Sequence, residues 1–169
     1  KLAPQNDEEL DALTKTLPNL ESLDIDLGVI TDDGMKLLGN NCRNLRALHF
    51  NSKNLTDSGL ARLTQSLPHL EILNFNEAYN VTEAGITHIA LNCLKLRVLR
   101  VLHYRQIEKA GLNDLANHCP QLVAVEFSHG GPISFEGVQA LTEKSRNLRY
   151  VQLNSIQHVS DNEIEILFY

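Results

Sequence analysis

The sequence predicts an α/β solenoid, with parallel strands on its concave face and helices on its convex face. Three observations lead to this prediction. A six-residue phrase with apolar residues at its first, fourth and sixth positions recurs at 20–25, 45–50, 70–75, 96–101, 122–127 and 148–153. Successive phrases begin 25 or 26 residues apart. Downstream of most phrases a hydroxyl residue and then a glycine return at the same interval, followed by apolar residues at helical spacing.

Each phrase is predicted to be a strand. Its apolar residues alternate with variable ones, as expected where one face of a strand is buried. A unit of about 26 residues cannot bury its own apolar side, so the units are expected to stack, each strand pairing in parallel with the next.

Each helix is predicted to begin at a hydroxyl residue that accepts a hydrogen bond from the first turn. These residues are Thr31, Thr56, Thr82, Ser134 and Ser160. Ser160 and Glu163 also have the spacing of a capping box. In the other units glycine takes the third place after the cap, which we expect to reflect tight packing of that turn against the neighbouring helix.

The two ends of the chain are also predicted to be helical. Residues 6–13 align with the helical part of a later unit, and the closing "SDNEIEILFY" (160–169) has no strand phrase after it. We therefore expect a single domain over residues 1–169, with six strand-containing repeats, an N-terminal half repeat and seven helices. Since neither end carries a polar capping unit, we expect the domain to be a piece of a longer solenoid.

The repeats resemble leucine-rich repeats of the cysteine-containing class. The pattern is clearest in "CRNLRALHF" and "LTDSGLARL" (42–63) and in "CPQLVAVEF" (119–127). Cys42, Cys93 and Cys119 share one phase of the repeat with Leu17 and Leu67, so they are expected to be small buried apolar residues rather than ligands. Proteins of this class include F-box receptors of cullin-type ubiquitin ligases, which implies a role in selecting proteins for ubiquitination.

Composition and motifs argue against several other functions. The net charge of −6 is unfavourable for general nucleic-acid binding. No phosphate-binding loop, nucleophile elbow or metal-binding helix motif occurs, and the seven histidines are expected to lie at unrelated phases of the repeat, so we predict no enzyme activity, cofactor or metal. No apolar run is long enough to span a membrane. Three cysteines cannot all pair, which favours a cytoplasmic or nuclear protein.

The predicted binding surface is the concave face and the loops at the strand exits in repeats three to five. Repeat four carries five cations against two anions, and Arg100 is expected to pair with Glu126 across the strands. We expect Leu102 and Tyr104 to expose apolar surface beside Arg105, and an acidic or phosphorylated protein segment to bind there. The predicted partner-binding residues are Asn74, Asn76, Arg100, Leu102, Tyr104, Arg105, Glu126 and Tyr150.

The leading hypothesis is a protein-interaction platform, the substrate-recognition part of an F-box-type receptor, which would join a ligase adaptor if an F-box lies outside these residues. Within the same class, the alternative is a regulator or scaffold without an F-box. From another class, the alternative is a leucine-rich-repeat GTPase-activating protein, for which Arg105 is the candidate reactive arginine. A secreted receptor would require the two Asn-x-Thr sequons, at 54–56 and 80–82, to be glycosylated and the cysteines to be paired.

Overall fold

The computed structural model describes residues 3–153 and the backbone of a strand at 164–167. Helices and strands alternate over residues 7–153, and the predicted N-terminal helix is present. The elements are α1 (Asp7–Lys15), β1 (Ser22–Asp26), α2 (Asp32–Asn41), β2 (Ala47–Asn51), α3 (Asp57–Thr64), β3 (Ile72–Asn76), α4 (Glu83–Asn92), β4 (Val98–Leu102), α5 (Lys109–His118), β5 (Ala124–Ser128), α6 (Phe135–Lys144), β6 (Tyr150–Leu153) and β7 (Ile164–Leu167).

One sheet contains all the strands in the order of the sequence, and β1 to β6 are parallel. The register aligns equivalent positions of the repeats: Leu48 lies opposite Leu73, and Leu73 opposite Leu99. Each helix packs against the next helix, as each strand packs against the next strand. The predicted right-handed solenoid, with strands on one face and helices on the other, is confirmed.

The C-terminal part of the fold differs from the prediction. Ile164–Leu167 form a strand that pairs antiparallel with β6, where the sequence predicted a helix. The open edge of β6 offers unpaired backbone N–H and C=O groups, and an added strand satisfies them whereas a helix would not. The expectation of parallel pairing alone is therefore wrong at this edge. The predicted cap at Ser160 and its partner Glu163 lie outside the described residues.

A continuous apolar core fills the space between the sheet and the helices. Leu73, at the centre of the sheet, is fully buried. The rings of Phe50 and Phe75 stack in neighbouring repeats with their centroids 5.5 Å apart. Cys42, Cys93 and Cys119 are buried in this core and are not paired in disulfides, so their predicted role as small apolar residues is confirmed.

The helices begin where the hydroxyl residues predicted, at Thr31, Thr56, Thr82 and Ser134. The structure adds a second set of contacts, in which an aspartate of one repeat accepts hydrogen bonds from the threonine that begins the next helix. Asp57 Oδ1 and Oδ2 accept hydrogen bonds from the Thr82 N–H and Oγ1–H at 2.9 and 2.7 Å. Asp7 binds Thr31, and Asp32 binds Thr56, in the same way. We call these three pairs the Asp–Thr ladder.

The ladder explains the recurrent glycine at Gly34, Gly59 and Gly85. A Cβ atom at Gly85 would lie 2.5 Å from Asp57 Oδ1, and one at Gly59 would lie 2.2 Å from Asp32 Oδ1. A Cβ atom this close would push the carboxylate away from the threonine, so the third position after the cap favours glycine wherever the aspartate is present. In repeat four the ladder stops, because Glu83 takes the place of the aspartate and Glu108 begins α5 without a side-chain cap bond.

Candidate functional site: the sheet face and the strand exits

The side chains of the sheet that point away from the helices form the concave face, here called the sheet face. Equivalent residues of neighbouring strands form columns on this face. The central column contains His49, Asn74, Arg100 and Glu126, and polar contacts link neighbouring residues in it. The Asn74 side-chain amide lies 2.9 Å from His49 Nδ1. Arg100 Nε lies 3.3 Å from Glu126 Oε2, which confirms the predicted cross-strand pair. Glu126 is mostly covered while Arg100 is about half exposed, so the guanidinium keeps donors free towards solvent.

The next column contains the last residues of β3, β4 and β5, which are Asn76, Leu102 and Ser128. Asn76 Oδ1 accepts a hydrogen bond from the Glu77 N–H at 2.7 Å and lies 2.6 Å from His103 Nδ1. A carbonyl oxygen only accepts, so His103 Nδ1 carries the proton that it donates to Asn76. Asn76 thus fixes both the bend after β3 and the orientation of an imidazole ring from the next repeat.

Three equivalent residues share a left-handed backbone conformation at these exits. Glu77, His103 and His129 have φ values of 61°, 56° and 57°. The repeated bend turns the side chains of His103 and His129 alongside each other, and the ring centroids lie 5.3 Å apart at an interplanar angle of 21°. His103 and His129 are 26 residues apart, so the expectation that the histidines lie at unrelated phases of the repeat was wrong for this pair.

Tyr79 completes a row of three rings, which we call the strand-exit cluster: Tyr79, His103 and His129. Its ring centroid lies 5.7 Å from that of His103. Tyr79 is 51% exposed, so it offers a large aromatic surface beside two stacked imidazoles. The sequence analysis missed this cluster. The 26-residue spacing of the two histidines was the signal that could have identified it.

Tyr104, predicted to be an exposed anchor, is buried. It is 3% exposed and contacts Phe127 edge to face, with centroids 5.8 Å apart. A Cβ atom on Gly130 would lie 2.4 Å from the tyrosine ring, so the glycine makes room for the ring one repeat away. Burial raises the pKa of Tyr104 well above its ordinary value. The prediction that Tyr104 exposes apolar surface at the strand exit is therefore wrong.

The remaining predicted residues lie in three different places. Arg105 is exposed but lines a groove of about 290 Å³ beside Glu83 and Glu108, near the helix starts, rather than lying beside Arg100. Leu102 is half-buried opposite Ser128 on the sheet face. Tyr150 is half-buried in the last parallel strand, where its hydroxyl donates a hydrogen bond to Gln152. Asn74, Asn76, Arg100 and Glu126 do lie together on the sheet face, as predicted.

Thiol, metal and membrane sites each place their own requirements on the described residues. Burial raises the pKa values of Cys93 and Cys119 to about 12, so at neutral pH these thiols are protonated and are poor nucleophiles. No group of three or more metal-ligating side chains occurs among the residues whose positions are described. Within the same residues, no helix is both long and apolar enough to cross a bilayer.

Comparison with known proteins identifies the repeat. A model described as "Leucine Rich repeat" matches residues 16–39. No curated protein matches the sequence significantly. The TLR13–ssRNA13 complex contains a similar chain, with 25% identity and a TM-score of 0.54 over 85% of this chain and 20% of that one. The yeast Rad7–Elc1 complex also contains a similar chain, with 17% identity over 89% of this chain and 54% of that one, but the TM-score of 0.36 is too low to support an argument.

Proposed function

We propose that this chain, part of which matches a leucine-rich-repeat model and which shares the fold of leucine-rich-repeat structures, is a protein-binding platform whose partner docks on the sheet face at the exits of β3, β4 and β5. The single observation that carries the proposal is the strand-exit cluster. An exposed tyrosine beside two stacked imidazoles provides aromatic surface of the type that dominates protein interfaces.

The surroundings of the cluster favour a partner with polar as well as apolar contacts. Asn76 holds His103, and Arg100 is held by Glu126, so the polar groups are positioned before a partner arrives. Since the strands that carry them are fixed in a parallel sheet, little conformational entropy is lost on docking. The proposed partner contacts are therefore Tyr79, His103 and His129, rather than Tyr104, which the sequence predicted.

The finer proposal is that the chain is the substrate-recognition part of an F-box-type ubiquitin ligase receptor. It rests on the resemblance of the repeats to the cysteine-containing class and on the burial of Cys42, Cys93 and Cys119 at the shared phase. A regulator without an F-box would use the same surface. A GTPase-activating role is less favoured, because Arg105, its candidate arginine, shares its groove with two glutamates that would repel nucleotide phosphates.

The test compares partner capture by the full chain and by four variants. Tyr79→Ala and His103→Asn alter the strand-exit cluster, and asparagine tolerates the left-handed backbone at position 103. Lys36→Ala and Glu143→Ala, both exposed on outer helices, are the matched controls. A protein captured by the wild type and the controls is then titrated by calorimetry. We expect each cluster variant to bind at least about 2 kcal/mol more weakly.

The sheet-face proposal would be contradicted if the outer-helix variants lost binding while the cluster variants bound with wild-type affinity. The ligase role has a separate readout: the captured protein should persist longer in cells depleted of this chain, and a cullin adaptor should co-purify with the chain. If the partner binds at the cluster but its lifetime does not change, the F-box-free regulator is the correct alternative.

A further inference from the structure

A row of equivalent residues runs along the beginning of the strands, one position after the first leucine of each repeat. We call it the strand-start row: Glu21, Arg46, Glu71, Arg97, Val123 and Arg149. Each of these residues after the first donates its backbone N–H to the carbonyl of the preceding member, at 2.7 to 2.8 Å. The row is therefore evenly spaced, at about 4.8 Å for each step.

The first four members of the row alternate in charge, and their contacts show what a carboxylate does there. Glu71 Oε1 lies 2.8 Å from Arg46 Nη1, and Glu71 Oε2 lies 3.9 Å from Arg97 Nη1. One glutamate thus reaches the arginine before it and the arginine after it. Glu21 extends the same arrangement, with its Oε2 3.7 Å from Arg46 Nε.

At Val123 the alternation is interrupted. A carboxylate there would lie between Arg97 and Arg149 as Glu71 lies between Arg46 and Arg97. Arg149 instead donates from Nη1 to the carbonyls of Arg146 and Leu148, at 3.2 and 3.1 Å. Within residues 3–153, no carboxylate lies within ion-pair distance of Arg149.

The interruption leaves an open groove of about 440 Å³ above Val123. It is lined by Arg97, Gln121, Val123, Asn147 and Arg149. Asn147 donates its amide to the Pro120 carbonyl at 2.8 Å, which anchors that wall of the groove. The groove thus has two cationic sides and an apolar floor, with a polar wall held in place.

We propose that this groove binds a glutamate side chain presented by an acidic segment of a partner protein. The carboxylate takes the position above Val123 that the row leaves vacant, and it bridges Arg97 and Arg149 as Glu71 bridges Arg46 and Arg97. Arginine forms two parallel hydrogen bonds to a carboxylate, which favours this ligand. The groove lies at the strand starts, whereas the strand-exit cluster lies at the other ends of the strands, so this inference does not depend on the proposed function.

The test uses the full chain and a fluorescein-labelled peptide of alternating serine and glutamate, with a serine–glutamine peptide as its control. Binding is followed by fluorescence anisotropy at low ionic strength. We expect Arg97→Gln and Arg149→Gln to weaken binding about tenfold. Arg62→Gln, which removes an exposed arginine paired with Asp33 on the helices, should bind as the wild type does.

Substitutions of Val123 test the geometry directly. Val123→Glu places a carboxylate of the chain itself into the row, so the acidic peptide should no longer bind. Val123→Gln is matched in size but uncharged, and should retain affinity within about twofold. In the ¹H–¹⁵N spectrum of free Val123→Glu, the Nε–Hε signals of Arg97 and Arg149 should shift while that of Arg62 does not.

Three results would overturn the proposal: wild-type affinity in both Arg97→Gln and Arg149→Gln, equal loss in the two Val123 variants, or competition by inorganic phosphate as strong as that by free glutamate at matched ionic strength. The last would identify a non-selective anion patch. Tyr79→Ala should leave peptide affinity unchanged, so failure here and failure of the sheet-face proposal are distinguishable.

Discussion

The Asp–Thr ladder predicts that Asp57 and Gly85 are energetically coupled. Asp57 accepts three hydrogen bonds from the next repeat: two from Thr82, and one from the Gly85 N–H at 2.9 Å. The perturbation is a double-mutant cycle with Asp57→Ala, Gly85→Ala and the combined variant. The cycle asks whether the glycine is required by the carboxylate or by the helix itself.

The magnitudes follow from the contacts. Hydrogen bonds to a charged group each contribute about 1.5–3 kcal/mol, and water replaces part of this at a half-buried site, so Asp57→Ala should cost about 3 kcal/mol. Gly85→Ala should cost about 2 kcal/mol although alanine favours helix by about 1 kcal/mol, because its Cβ would displace the carboxylate. Without that carboxylate the nearest atoms to this Cβ are the ends of two side chains, Leu60 Cδ1 at 2.9 Å and Val81 Cγ1 at 3.0 Å, which need to shift by only a few tenths of an ångström. The second substitution should then cost little, which gives a coupling of about 1.5 kcal/mol or more.

Urea unfolding of the four proteins, followed by circular dichroism, measures the coupling. Asp33→Ala is the matched control, since Asp33 lies in the first turn of α2 but is largely exposed and pairs only with Arg62. It should cost less than about 1 kcal/mol. Additive effects of the two substitutions, or a Gly85→Ala protein more stable than the wild type, would refute the role assigned to the ladder.

Three further outcomes follow from the core. Leu73→Ala, at the centre of the sheet, should lower the free energy of unfolding by about 2–5 kcal/mol in urea, with no rescue by salt. Tyr104→Phe should change the thermal midpoint little, because the buried hydroxyl has no hydrogen-bond partner among the described residues, whereas Tyr104→Ala should cost about 3–5 kcal/mol; equal losses would contradict the packing. Cys42, Cys93 and Cys119 should resist Ellman's reagent at pH 8 and give three thiols in urea, and fewer than three would indicate a disulfide. The pKa values of Cys93 and Cys119 rise from 9.0 to about 12 on folding, so their contribution to the free energy of unfolding should be fully present below pH 9 and decrease as the pH approaches 12. The Cys93→Ala/Cys119→Ala protein should lose stability less steeply over the same pH range.

The fold could be predicted from sequence because its determinants repeat. Alternation of apolar residues defines the strands, and a fixed interval defines their register, so the Arg100–Glu126 pair followed from counting alone. The cap residues were equally accessible, since a hydroxyl at the start of a helix has a local function. What the sequence did not disclose was the partner of each cap. The Asp–Thr contacts join residues 24 or 25 positions apart, and only the stacked repeats bring them together.

The candidate site was harder to predict, because the residue types at the strand exits were weighed without their positions in the repeat. Tyr104 has the residue type of an interface anchor, but it lies at the same phase as Ala78, which is fully buried. Position in the repeat therefore predicted the burial of Tyr104 better than its residue type did. Conversely, Tyr79 is one position beyond that buried phase, and its exposure comes from the bend after β3.

The C-terminal strand illustrates a different limit. The segment at 164–167 reads Ile-Glu-Ile-Leu, which suits a strand by alternation and also suits one turn of an amphipathic helix. Four residues are too few for periodicity to decide between the two. The backbone groups at the edge of β6 decide it, and that edge exists only in the folded solenoid.

Two independent ladders of side chains end in the same part of the solenoid. The Asp–Thr ladder is intact up to Thr82 and fails at Glu83 and Glu108, and the charge alternation of the strand-start row is intact up to Arg97 and fails at Val123. Both ladders join one repeat to the next, so their loss removes contacts that stabilise the stack. The strand-exit cluster and the groove above Val123 lie in the same part of the solenoid. These repeats give up contacts that stabilise the stack while they present exposed rings and, within residues 3–153, an arginine without a carboxylate partner. Both losses are what the two binding proposals predict, because a surface used for binding is not optimised for stability alone.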